Sequence, residues 1–210
     1  MKIEVSDGEV VDKYSILCLK LDLITNEEKK KQVQHEKQLL HEYATVLIHQ
    51  WPMYYRLLFH VNKQIWDKTD DMKAFHMPDN PELFARLSQD IFLLNDQRFR
   101  LKRIFNMTSN VKEQKSYADK IIRTSIPSHD ILKNQLDKLI FMVLVYDKIV
   151  ITLDKEKELI KETIHHWLPS FCVAFLSETD NYKHTNDDDN HQPPDPSTLA
   201  IIRYFTNEQA

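Results

Sequence analysis

One residue type is nearly missing from this chain of 210 residues: it contains a single glycine, Gly8. Globular proteins use glycine at roughly 7%. Tight β-hairpins, phosphate-cradling loops and dinucleotide-binding turns all need it, either for positive φ or for close approach of backbone to ligand. Gly8 alone builds none of these, so hairpin-rich sheets and the common nucleotide-binding folds are set aside. With 42% hydrophobic and 29% charged residues, the chain still has the material for a core. The expectation is an all-α protein: a multi-helix bundle, a second smaller helical unit, a disordered acidic segment and a short C-terminal tail.

Capping residues mark where the helices start. Ser6-Asp7-Gly8-Glu9 is a capping box. Behind it Val10, Tyr14, Leu17, Cys18 and Leu21 form one helical stripe, and Ile16, Leu19 and Leu23 a second. A helix apolar around most of its circumference belongs at the centre of a bundle. Thr25 and Glu28 bracket Asn26 as another box, opening a helical stretch to about His76 that Pro52 breaks or kinks. Asn80-Pro81 pairs an N-cap with a first-turn proline, and Leu83, Leu87, Ile91, Leu94, Leu101 and Phe105 follow at helical spacing to about Asn106.

Val111 to Thr124 reads as a short helix or ordered loop, and Ile126-Pro127-Ser128 as a boundary. The domains expected are a helical N-terminal domain over 1–125, a smaller helical unit over 126–178, a disordered acidic linker over 179–198 and a tail over 199–210. Leu132 to Leu153 is the ambiguous stretch. Residues 143–152 are β-branched enough for a strand, but the length of the run and the helical flank from Lys155 to Trp167 favour helix. Leu199 to Phe205 is apolar enough to dock, on its own domain or on a partner.

A net charge of −4 gives no global basic field, which argues against nucleic acid or anionic membrane as a partner. Cys18 and Cys172 stand far apart without a disulfide framework. They read as reduced thiols in a reducing compartment, and the cytoplasm fits. The first residues do not resemble a signal segment, and the most apolar run, Leu139 to Tyr146, stops at Asp147 and Lys148, too short to span a bilayer. A soluble protein is expected.

The usual catalytic patterns are absent. Ten histidines invite a metal reading, yet His35 and His41 fall on different helix faces and His165-His166 diverge. Glu162 and His165 make one Glu-x-x-His unit where a carboxylate-bridged di-metal bundle needs two. His129-Asp130 lacks the further ligands of a metal-dependent phosphohydrolase, and two isolated cysteines cannot close a zinc site. No serine or cysteine lies in a nucleophile turn. Asp67, Asp70 and Asp71 supply one helix's share of the acidic set that helical nucleotide pyrophosphohydrolases use across two helices, and no paired glutamates face them at the required spacing. No metal and no cofactor are expected.

Polar residues inside strongly apolar helices are more informative. Glu9, Lys13 and Lys20 share one strip of the first helix, with Asp12 beside them. Asn95, Arg98, Lys102 and Asn106 make one polar face of a later helix, and Asp96, Arg100 and Arg103 another. The bland reading pairs Glu9 with Lys13 and Asp96 with Arg100 at i,i+4, each worth a few tenths of a kcal/mol. The functional reading is an anion- or partner-binding face built from Lys13, Lys20, Arg98 and Lys102. Of these, Lys13 has the least room to reach water and is expected as a buried partner of Glu9 or Asp12, whereas Arg98 and Lys102 are the expected binding cations.

Several blocks carry a resemblance. They are Val5-Ser6-x-Gly8-Glu9-x-x-Asp12-Lys13-x-x-Ile16-Leu17, then Asn62 with Ile65-Trp66-Asp67-x-x-Asp70-Asp71, then Asn95-Asp96-x-Arg98 with Lys102 and Asn106, and finally Glu113-x-Lys115-Ser116-Tyr117. Over about residues 3–118 the chain resembles an uncharacterised bacterial family of small helical proteins. Similar segments occur beside glycosyltransferases and tetratricopeptide repeats in genes for surface-polysaccharide assembly. Asp7, Thr69 and Gln97 depart from the family pattern, which has an apolar residue, an acid and an arginine there. The resemblance implies a context, not a reaction, and adds Trp66, Asp67, Asp70, Lys115 and Tyr117 to the candidate binding residues.

The function expected is a nonenzymatic helical binding or accessory module in a glycan-assembly context, with a protein partner or an anionic small molecule as ligand. The rival is a metal-dependent enzyme acting on a phosphorylated small molecule such as a nucleotide sugar. There Asp67, Asp70 and Asp71 would hold the metal, and Lys13, Arg98 and Lys102 the phosphate.

Overall fold

The computed structural model describes residues 4–74, 80–106, 119–154, 157–176 and 194–208. The chain divides into two compact units, Met1–Gln114 and Lys115–Ala210. No helix among the described residues is long and apolar enough to cross a membrane.

The first unit is helical. It contains α1 (Asp7–Leu23), α2 (Glu27–Gln50), α3 (Pro52–Ala74) and α4 (Pro81–Phe105). Each start has the local cause expected of it. The Ser6 hydroxyl accepts from the Glu9 amide at 3.3 Å, the Asn26 side chain from Lys29 at 3.0 Å, and the Asn80 side chain from Leu83 at 3.1 Å with Pro81 in the first turn. At Trp51 the backbone leaves helical geometry (φ −137°, ψ 59°), so Pro52 opens a new helix instead of kinking the old one. Helix α1 packs against α2, α3 and α4, the central position its two apolar stripes predicted. Val11, Leu17, Leu57, Leu58, Leu101 and Ile104 are fully or almost fully buried around it.

The second unit corrects the all-α expectation. It runs β1 (Ile121–Ile126), α5 (His129–Val145), β2 (Lys148–Leu153), α6 (Lys157–Trp167), a 3₁₀ turn (Ser170–Cys172), β3 (Val173–Leu176) and α7 (Pro196–Glu208). The three strands form one parallel sheet in the order β1-β2-β3. Ile121 pairs with Lys148 and Ile126 with Leu153, while Ile149 pairs with Val173. Parallel strands are joined by long crossovers, here through α5 and α6, and so need no glycine hairpin. That is why one glycine does not exclude a sheet.

Residues 148–153 are strand, not the end of a helix. The central strand of a parallel sheet is covered on both faces and reads as a continuous apolar run, as Ile149, Val150 and Ile151 do, each buried. Helix α5 ends at Tyr146, whose amide donates to the Met142 carbonyl at 2.8 Å, and the Asp147 carboxylate accepts from the Lys120 amide at 3.0 Å. The stretch expected as helix or loop up to Thr124 contributes residues 121–124 to β1, so the last strand-forming residues assigned to the N-terminal domain belong to the second unit.

Most of the expected acidic linker, residues 179–193, lies outside the described residues. Its end is ordered: the Asp195 carboxylate accepts from the amides of Ser197 at 3.0 Å and Thr198 at 3.1 Å, capping α7. Helix α7 takes in residues 196–198 of the expected linker and 199–208 of the expected tail, and it docks on its own unit against α5. Ile202 is completely buried, and Arg203 bonds Asp137 at 3.1 Å. Replacing Ile202 by alanine is expected to destabilise the second unit by about 2–5 kcal/mol in chemical denaturation, as large-to-small core changes do.

Candidate functional site

Most of the polar candidates on α1 and α4 meet inside the first unit. Asp12, on the face of α1 turned toward α3 and α4, retains only 2% of its side-chain exposure. The cost of removing a carboxylate from water is offset only by charge-assisted hydrogen bonds. Arg98 supplies them as a fork: Nε donates to Oδ1 at 2.9 Å and to Oδ2 at 3.1 Å, and Nη2 to Oδ2 at 2.5 Å. Asn62 of α3 adds a bond from Nδ2 to Asp12 Oδ1 at 2.9 Å and another to the Ser15 hydroxyl at 2.7 Å. Ser15 in turn donates to the Asp12 carbonyl at 2.8 Å. Three helices are thereby held through one carboxylate.

One turn toward the start of α1, Lys102 bonds the Glu9 carboxylate. The Lys102 side chain is 11% exposed and that of Glu9 44%, so this pair reaches from the interior to the surface. Beside it the Gly8 amide donates to Asn106 Oδ1 at 2.5 Å. A Cβ at Gly8 would stand 2.9 Å from that oxygen and closer still to the Lys102 carbonyl oxygen. The lone glycine therefore marks where the first turn of α1 lies directly on the backbone of α4. It serves close approach of one backbone to another. At the outer side of the same turn, the Tyr43 hydroxyl donates to Asp7 at 2.6 Å. That bond holds the Tyr43 phenol above its ordinary pKa, because ionisation would give up the donated proton, and burial and the Asp7 charge push the same way.

The pairing differs from the i,i+4 expectation. Glu9 engages Lys102 and not Lys13, and Lys13 reaches out to Glu36 of α2 at 3.3 Å with its side chain 60% exposed. Lys13 is thus the solvated cation and not a buried partner of Glu9 or Asp12, while Arg98, its side chain 27% exposed, and Lys102 are each paired with an acid of α1. Helical periodicity fixed the strip but not which helix faces it. Replacing Lys13 by glutamine is expected to change stability by less than about 0.5 kcal/mol, since exposed pairs contribute little. Guanidinium denaturation measures it.

The remaining candidates stand apart from this cluster. Asp96 and Arg100 form the expected i,i+4 pair, both buried, at 3.8 Å. Asn95 is exposed and donates to the Ile91 carbonyl of its own helix at 2.9 Å. Lys20 is half-buried in the last turn of α1, and Trp66 half-buried on α3. Asp67 pairs with Lys63 at 2.6 Å and Asp70 with Lys73 at 3.0 Å, all on α3, and Asp71 is exposed. Among the described residues no group of three or more histidine, cysteine or acidic side chains is placed to hold a metal ion. Lys115 and Tyr117 lie outside the described residues.

Three further polar residues take part: Ser15 and Tyr43, absent from the sequence candidates, and His41, considered there only as a metal ligand. Ser15 interrupts the apolar run of α1, and that was the available signal. Near it the Tyr14 hydroxyl and His41 Nδ1 share a hydrogen bond at 2.9 Å, and the Tyr55 hydroxyl donates to Cys18 Sγ at 3.8 Å. Burial pushes both phenols above the ordinary tyrosine pKa.

No curated protein and no solved structure matches the chain significantly. A family model does: it covers residues 1–136, which take in the whole helical unit, β1 and the first turns of α5. The chain therefore belongs to an uncharacterised family, the family of unknown function DUF6165.

Proposed function

We propose that this protein is a nonenzymatic binding or accessory module whose N-terminal bundle recognises its ligand at the rim of the α1–α4 cluster, where Glu9 and Arg98 reach solvent. The observation that carries this reading is the matching of charge. Arg98 is committed to Asp12 and Lys102 to Glu9, and two of the three aspartates of the rival enzyme reading, Asp67 and Asp70, are engaged by Lys63 and Lys73. A site built for turnover holds its acids and bases poised near the reacting atoms. A recognition surface instead gains from side chains locked in place before the ligand arrives. The glycan-assembly context enters through the sequence resemblance alone and directs the choice of ligands to test.

A thermal-shift screen of the full chain against sugars, nucleotides and nucleotide sugars, with and without magnesium or manganese, tests the proposal. A ligand at a hundred times its Kd adds about 2.7 kcal/mol to stability. The expected result is a rise in Tm that survives a chelator, is lost in Glu9→Gln, and occurs without turnover. Turnover of a nucleotide or nucleotide sugar that disappears in Asp67→Asn or Asp70→Asn would overturn the proposal in favour of a metal-dependent enzyme.

A further inference from the structure

We draw no further inference here: the strongest candidate, the exposed apolar seam of Leu39, Tyr43 and Val46 along α2, carries nothing because nothing in the structure shows what covers it.

Discussion

Gly8→Ala is expected to destabilise the protein by about 1–3 kcal/mol, although the substitution improves helix propensity. At an open helical position, exchanging glycine for alanine stabilises by up to about 1 kcal/mol. Here the added methyl group would lie 2.9 Å from Asn106 Oδ1 and nearer still to the Lys102 carbonyl oxygen. The second obstacle is backbone and cannot rotate away. Relieving the contact means lifting the first turn of α1 off α4, which weakens the Gly8 amide bond to Asn106 and the adjacent Glu9–Lys102 pair. Overpacking of this kind costs typically 1–3 kcal/mol, and a lost hydrogen bond adds about 1. The propensity gain and the steric cost oppose each other in sign, so urea denaturation of the single variant decides between them. A stabilised Gly8→Ala protein would show that α1 does not rest on α4 as described.

How far the sequence revealed this structure depended on the range of each interaction. Ser6, Asn26, Asn80 and Ser128 act within a few residues of themselves, and each caps a helix. The sheet was missed for two separate reasons. A scarcity of glycine bears only on hairpin sheets and leaves parallel ones open, and a central parallel strand such as Ile149-Val150-Ile151 has no alternation to separate it from a buried helix. In the polar cluster, helical periodicity placed Glu9 and Asp12 on one region of α1, and Arg98 and Lys102 on one face of α4. The partners, however, are 86 residues apart for Asp12 and Arg98 and 93 for Glu9 and Lys102. No local pattern encodes such pairing, so the nearer i,i+4 partner for Glu9 was preferred and was not the one used.

Arg98→Met is expected to cost about 3–5 kcal/mol, the largest effect of any charge removal among the candidate residues. Methionine retains much of the apolar stem and removes the fork of donors. Asp12, with 2% of its side chain exposed, would keep only the Asn62 bond at 2.9 Å as its side-chain partner in place of a cation. Stranding a buried carboxylate costs far more than the intact pair contributes. The contrast with Lys13→Gln is the sharper form of this prediction. Both changes remove one positive charge from the same bundle, and only the enclosed one should be felt.

The most direct test of the account is a double-mutant cycle on Asp12 and Arg98, using Asp12→Leu, Arg98→Met and the two together, followed by chemical denaturation with circular dichroism. If the carboxylate and guanidinium form one unit holding α1 to α4, the double variant should be more stable than the sum of the single losses by at least about 2 kcal/mol. Replacing a buried pair by apolar residues of similar volume is often neutral, so the double variant is expected to lie near the wild type and to keep its helical spectrum. Losses that add to within about 0.5 kcal/mol would mean that the two residues act independently. That result would contradict the internally matched cluster on which the proposed function rests.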